Sequence, residues 1–302
     1  MQSLKSIQDF IRWGASRFTE AKLFFGHGTD NALDEAAALV LQALYLPPDL
    51  PSSWFSTRLT TEERNRVFDL IQRRIEKRIP LAYLMGEAWF AGMRFHVNEQ
   101  VLIPRSPIAE LIEKEFSPWV DPLGVTHVLD LCCGSGCIGI AAAAYLPESQ
   151  VDLVDISSDA LQVAQKNVSE HGLEERVTVC QSDLFDGLPT KKYELILSNP
   201  PYVGSAEMAG LPEEYQHEPV LALKANDDGL EIVQRILKQA KDYLTPQGVL
   251  IVEVGNSAVM LAERYPDIPF VWLDFERGGE GVFLLTAQDL AKYANIIHKP
   301  DT

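Results

Sequence analysis

No run of about 18 apolar residues occurs in this chain of 302, so no segment reads as a membrane-spanning helix. Its beginning is also poor in apolar residues. Met1-Gln2-Ser3-Leu4-Lys5 runs into Asp9 and Arg12 without the unbroken apolar core of a signal peptide. Cysteine is scarce. Of Cys132, Cys133, Cys137 and Cys180, the first three are too crowded to staple a framework, and no histidine stands beside them at zinc-ligand spacing. They read as small, reduced side chains of a cytoplasmic protein that holds no metal. Basic charge is short as well. Lys and Arg number 26 against 43 Asp and Glu, a net charge of −17, whereas a protein that grips naked nucleic acid usually carries a basic face. An acidic surface suits a basic partner and speeds encounter with it, although solubility alone accounts for it equally well. The chain has no internal repeat and no low-complexity segment.

What is present is ordinary for a globular protein, with 46% hydrophobic and 23% charged residues, and the length allows one large domain plus a smaller one. Residues 1–85 read as a helical bundle. Leu4, Ile7 and Ile11 share a helix face behind Ser3 as a cap. An Ala/Leu-rich helix covers 32–45, and a Pro/Ser-rich connection runs from Pro47 to Ser56. Thr60 with Glu63 makes a capping box before Val67, Leu70, Ile71 and Ile75, and Pro80 ends that helix. Trp89, Phe90, Phe95, Val97, Val101 and Leu102, with turn residues at Gly92 and Asn98-Glu99, predict a β-hairpin hinge over 86–105. Ser106 then caps a short helix with Pro107 in its first turn. From residue 126 strands and helices alternate. Strands are predicted at 127–131, 150–155, 176–180, 193–198, 248–254, 269–273 and 281–285. Helices are predicted near 137–146, 158–171, 229–243 and 257–265. The alternation predicts a mostly parallel sheet covered on both faces, with the two late strands as an antiparallel hairpin at one edge.

Three stretches carry chemistry. Val128-Leu129-Asp130-Leu131 runs into Cys132-Cys133-Gly134-Ser135-Gly136-Cys137-Ile138-Gly139, a glycine turn that lets a ligand touch the backbone ahead of a helix N-terminus. Asp155 ends the second strand, 19 residues after Gly136, where a carboxylate can hold both hydroxyls of a ribose. Gly134-x-Gly136-x-x-Gly139 alone is a weak fingerprint, shared by nicotinamide enzymes, methyltransferases and plain tight turns. Asp130 discriminates. A carboxylate there suits the cationic amino group of a methionine moiety better than a pyrophosphate, which favours S-adenosyl-L-methionine over a dinucleotide. Asp183, followed by Leu184, is placed after the third strand to bond an adenine amino group, with a turn aspartate as the bland alternative. His217 reads as a solvated loop histidine. Gly278-Gly279-Glu280-Gly281 reads as a turn.

The third stretch is Asn199-Pro200-Pro201-Tyr202, which follows the apolar run Leu195-Ile196-Leu197-Ser198. Two prolines cannot continue a sheet ladder, so the strand stops and a stiff loop stands at its carboxyl end, the edge where open α/β sheets bind ligands. One amide and one aromatic ring on a rigid loop can hold a flat polar group. A simple strand-capping turn is the alternative.

Together these residues resemble the class I S-adenosylmethionine-dependent methyltransferases: α/β, with a Rossmann-like seven-stranded sheet. The resemblance makes Asp130, Cys132, Gly134, Ser135, Gly136, Asp155, Asp183, Leu184 and Asn199 the cofactor-binding set. Cys132 departs from the family, which often has glycine there. Asn199-Pro200-Pro201-Tyr202 is similar to the motif of enzymes that methylate amide or exocyclic amino nitrogens, which implies Asn199, Pro200 and Tyr202 as catalytic residues and those three with Pro201 as substrate-binding. Val101-Leu102-Ile103-Pro104-Arg105, His217-Glu218-Pro219, Ala222-Leu223 and Asp228-Gly229-Leu230 resemble the protein-(glutamine-N(5)) methyltransferases. Release-factor enzymes of that family usually continue Pro-Arg-Pro-Glu-Thr-Glu. Pro104-Arg105-Ser106-Pro107-Ile108-Ala109-Glu110 instead looks like the branch that modifies large-subunit ribosomal protein number three. The resemblance implies a catalytic domain over 106–302, substrate recognition by the bundle over 1–85, and a basic ribosomal protein as substrate, methylated before or during subunit assembly. Direct nucleic-acid binding and membrane association are not expected. A DNA adenine methyltransferase is disfavoured by the charge, a nicotinamide oxidoreductase by Asp130 and the Asn-Pro-Pro-Tyr loop, and a non-catalytic assembly factor by the intact Asn199.

Overall fold

The structure is a computed structural model and describes residues 3–226 and 228–299; the outermost ends of the two predicted domains, at residues 1–2 and 300–302, lie outside the described residues. The chain divides into two compact units. One runs to Ala88 and adds Val97–Glu99 and Pro212–His217; the other comprises Trp89–His96, Gln100–Leu211 and the chain from Glu218 onward.

The first unit is helical: α1 (Ile7–Glu20), α2 (Ala32–Ala43), α3 (Thr61–Lys77) and the short α4 (Leu81–Met85). Phe10, Phe18, Leu39, Val40 and Ile71 are fully enclosed between them, and Trp13 stacks on Phe68 at 5.4 Å. The capping box predicted at Thr60 and Glu63 is formed. The cap of α1 is Ser6 rather than Ser3, because Asp9 three residues on closes the reciprocal box with Ser6. Helix α3 stops at Lys77 on a left-handed Arg78, and Pro80 instead precedes α4. Arg74 is buried in this unit. Its guanidinium bonds Glu35 at 2.6 Å, Glu214 at 3.4 Å and the Phe24 carbonyl at 2.9 Å. Glu214 also accepts from the Phe24 N–H at 3.0 Å and from Arg78 at 3.1 Å. Burial pushes the Glu214 carboxyl up, but the backbone N–H donors and the two arginines together hold it below the usual carboxylate value.

Strands β1 (Glu87–Phe90) and β2 (Met93–His96) form the predicted hairpin. In the second unit α5 (Ile108–Glu113) precedes an alternating series: β3 (His127–Leu131), α6 (Cys137–Tyr145), β4 (Gln150–Asp155), α7 (Ser158–Glu170), β5 (Val177–Gln181) and β6 (Tyr193–Ser198). After β6 come α8 (Ser205–Met208), α9 (Val220–Leu223), α10 (Glu231–Tyr243), β7 (Leu244–Glu253), α11 (Ala258–Arg264), β8 (Val271–Trp272), β9 (Val282–Thr286), α12 (Ala287–Lys292) and α13 (Ala294–Ile297). The seven strands lie in the order β5-β4-β3-β6-β7-β9-β8, with the first five parallel and β9 antiparallel to both its neighbours.

Alternation along the strands builds a core on each face. Val128, Leu195, Leu197, Val249 and Ile251 point to one layer with Ile140 and Ala141 of α6; Leu129, Ile196, Leu250 and Val252 point to the other with Ile236 and Leu237 of α10. Helix α6 is apolar all round and almost wholly buried, which is why it shows no polar face. The fully buried Asn167 of α7 accepts the His96 N–H and donates to the carbonyls of His96 and Ser135, tying the hairpin to the glycine turn. Among the described residues no helix is long and apolar enough to cross a membrane.

Candidate active site

Strand register explains the site. Leu131 pairs with Val154 on one side and Ser198 on the other, and Ser198 pairs with Val252. The next residues on these four strands therefore stand in one row at the carboxyl edge of the sheet: Asp155, Cys132, Asn199 and Glu253. Strand order reverses at β3, where β4 flanks one side and β6 the other, so a crevice opens between the loops at this edge. It encloses about 210 Å³.

Cys132, Gly134, Ser135, Asp155, Asp183 and Leu184 all stand on the wall of this crevice, as do Asn199 and Pro201. Cys132 has φ +58, in the left-handed region that favours glycine, which accounts for glycine being common at this position in the family it resembles. Gly136 takes φ +78 as the N-cap of α6. A Cβ on Gly139 would come within 2.3 Å of Leu153 and 3.0 Å of Asp130, so α6 can press on the sheet only with glycine there.

Four predicted residues are not on the wall. Gly136 lies behind it in the turn, and Pro200 is buried. Asp130 was expected to face a ligand's amino group but is completely buried, because the close approach of Gly139 brings that residue's N–H onto its Oδ2 at 2.8 Å. Its Oδ1 is buried without a hydrogen-bond partner, and burial pushes the carboxyl up to about 8. Tyr202 is turned inward, its hydroxyl donating to Glu253 Oε1 at 3.1 Å and its carbonyl accepting from Ser257 at 2.9 Å. Asp183 is held by Arg235 at 2.9 Å. His217 lies outside the crevice and bonds the Lys77 carbonyl at 2.8 Å. The cysteines are free thiols, and burial pushes the Cys137 thiol up to about 12 and those of Cys132 and Cys133 further up, so none of these three offers a thiolate.

Sequence reasoning missed three features. Arg105 grips Glu218 with two bonds, at 2.5 and 2.8 Å, and Glu218 also accepts the Ile103 N–H at 3.1 Å. This clamp braces Pro104 and Pro219, both on the wall. Ile156 leaves 49% of its surface exposed in the crevice beside Asp155, an apolar plate suited to a flat ring. Glu253 is buried behind Asn199; the only signal for it was a charge directly after the apolar run Leu250-Ile251-Val252.

A relative from Francisella tularensis named ribosomal protein uL3 glutamine methyltransferase is 50% identical over 300 residues, covering 99% of this chain and 96% of that protein. This chain belongs to the ribosomal protein uL3 glutamine methyltransferase family. A Bordetella pertussis relative of the same name is 49% identical over 290 residues, covering 96% of this chain and 97% of its own. The family model for the methyltransferase small domain matches residues 120–211, from just before β3 to just past α8. Among solved structures, the hMettl16 catalytic domain in complex with MAT2A 3'UTR hairpin 6 superposes with a TM-score of 0.50 at 18% identity, covering 76% of this chain and 82% of that one. That likeness confirms the class I methyltransferase fold.

The family is S-adenosylmethionine-dependent, and the crevice fits that cofactor. Each Asp155 oxygen takes one backbone N–H, from Ser157 and Gly134 at 2.9 Å, and keeps acceptor capacity for a ribose diol. Nothing lies within 4 Å of where a Gly134 Cβ would be, so a ligand can reach the backbone. The orphaned Asp130 oxygen behind the turn favours a cationic ligand, whose charge would in turn draw that carboxyl's pKa down. Asp155→Ala is expected to weaken S-adenosylmethionine binding by about 1.5–3 kcal/mol, as for loss of charge-assisted hydrogen bonds. Calorimetry measures this directly; unchanged affinity, or comparable binding of NAD to the unaltered protein, would overturn the assignment.

Proposed function

We propose that this protein transfers a methyl group from S-adenosylmethionine to the side-chain amide nitrogen of a glutamine in ribosomal protein uL3. One observation carries the chemistry: Asn199 stands on the same wall as Asp155 and Cys132, at the carboxyl end of β6, so the amide-binding loop and the cofactor turn share one crevice. When bound, the cofactor supplies an electrophilic methyl on a sulfonium. The chain's task is to make an amide nitrogen act as nucleophile, although its lone pair is delocalised into the carbonyl. Asn199 Oδ1 and the Pro200 carbonyl accept the two N–H bonds of the target amide. That turns the nitrogen toward the methyl and stabilises positive charge as it develops there. Pro201 completes the wall beside Asn199, and Tyr202 holds the loop through Glu253. The product loses its proton afterwards, so the step calls for no metal and no strong base.

In this reading residues 1–85 dock the substrate protein, 86–105 join them to the catalytic part, and 106–302 carry the chemistry. The net charge of −17 suits a basic ribosomal protein, makes association fall with ionic strength, and disfavours direct nucleic-acid binding. Work on a ribosomal protein supports a cytoplasmic setting.

The test offers purified uL3, intact large subunits and release factor separately with radiolabelled methyl donor. The expected result is label in isolated uL3 that is lost when its target glutamine is replaced. Label mainly in release factor would move the chain to the other branch, and label in DNA would overturn the amide chemistry.

A further inference from the structure

The buried carboxylate of Glu253 does not itself line the crevice, yet it gathers donors from two separate segments. Ser106 donates to Oε2 at 2.5 Å and Tyr202 to Oε1 at 3.1 Å, and the Asn199 side chain comes close enough to the same carboxylate to favour its ionised form. Ser106 Oγ itself accepts the Ile108 N–H at 3.2 Å, which leaves its proton free for Glu253. Register sets this up. Ser198 and Val252 pair, so Asn199 and Glu253 emerge side by side at the ends of β6 and β7.

An ionised carboxylate only accepts hydrogen bonds. Its partner on Asn199 is therefore the NH₂ end, and Asn199 Oδ1 is the end left for the crevice. Without such a partner an asparagine amide can turn either end outward at little cost. With the NH₂ end outward, Asn199 would repel a target amide's N–H groups instead of accepting them. Burial raises the Glu253 carboxyl above its usual value overall, and the Ser106 and Tyr202 hydroxyls, the nearby Arg105 charge and the Asn199 amide oppose that rise by favouring the ionised form.

We infer that Glu253 is the positioning residue that sets the orientation of the Asn199 amide, and thereby selects a nitrogen bearing N–H donors as the methyl acceptor. Ser106, from the segment that separates this branch from the release-factor branch, and Tyr202 of the Asn-Pro-Pro-Tyr loop hold Glu253 in place. The inference rests on the amide-clamp reading above and extends it to a residue outside the crevice.

The test is a double-mutant cycle, run on whichever substrate protein takes label. Glu253→Gln keeps the volume but replaces one acceptor oxygen by a donor. It is expected to lower kcat on the order of tenfold to a hundredfold, with KM and cofactor affinity within about threefold, the pattern of an interaction felt in the transition state. In an Asn199→Ala background the same change is expected to cost nothing further, because there is no amide left to orient. A second arm guards against misfolding of the single variant. Asn199→Asp sets two carboxylates against each other and is expected to be slow. Asn199→Asp combined with Glu253→Gln restores a donor facing an acceptor and is expected to recover at least about tenfold over Asn199→Asp alone. Wild-type kcat in Glu253→Gln, an undiminished Glu253 effect in the Asn199→Ala background, or no recovery in the swapped pair would each overturn the positioning role. Normal turnover in Asn199→Ala would instead bring down the clamp itself, and the positioning role with it.

Discussion

Asn199→Ala is expected to slow methyl transfer on the order of a hundredfold or more while leaving S-adenosylmethionine affinity nearly unchanged. The magnitude is that of removing one preorganised electrostatic partner from a water-poor site. Affinity is spared because Asp155 and the glycine turn, which make the hydrogen-bonding and close-contact surface for the cofactor, stand on other strands of the row. Single-turnover rates with labelled donor, alongside calorimetry, separate the two quantities. Near-normal turnover would end the clamp mechanism. A parallel loss of cofactor binding would mean that Asn199 serves mainly the cofactor.

The largest effect on stability is expected from Arg74→Met in the helical unit. Arg74 is 1% exposed and is bonded to both Glu35 and Glu214, themselves 2% and 1% exposed. Removing the cation leaves two carboxylates buried near one another without their shared partner, a change that typically costs about 3–5 kcal/mol. Denaturant unfolding followed by fluorescence should show the loss. The depressed pKa of Glu214 gives its pH signature. A carboxyl held below its unfolded value adds stability above that value, and this stability is lost as pH falls through the folded pKa. In the unaltered protein that contribution is present at neutral pH and disappears on acidification; in Arg74→Met it should be smaller at neutral pH, where the Phe24 N–H and Arg78 still hold Glu214. Cofactor binding should survive, since every residue of the crevice wall belongs to the other unit. Unchanged stability would mean that Glu35 and Glu214 find other partners or take up protons at no cost.

The sequence and the structure agree where the causes are local. Thr60 and Glu63 lie within one turn, so their capping box is legible in the sequence; Ser6 with Asp9 carries an equivalent local pattern and, rather than Ser3, forms the cap of α1. The parallel strands were legible because strands buried on both faces read as unbroken apolar runs. Residues at the ends of such runs, Asp155 and Asn199 among them, had to stand at the carboxyl edge of the sheet. The late strands pair antiparallel as their spacing predicts, but their place in the sheet is not legible in the sequence. Strand β9 inserts between β7 and β8, an arrangement decided by which strand best covers the open edge of β7.

Depth and partnership were out of reach for a different reason. Whether Asp130 faces a ligand or hides beneath the turn depends on how closely Gly139 approaches the sheet, a distance set by the packing of α6 on Leu153. Whether Asp183 is free depends on Arg235, which α10 brings to it. The partners of Glu253 come from Ser106, Asn199 and Tyr202, far from it and in two separate stretches of chain. By itself the sequence determined the strand ends, the glycine turn and the stiff Asn-Pro-Pro-Tyr loop, because propensity, capping and proline's lost N–H act over a few residues. Only the tertiary structure decided which strand ends become neighbours, and hence that Asn199 meets a buried carboxylate, because lateral register is set by packing across the whole sheet.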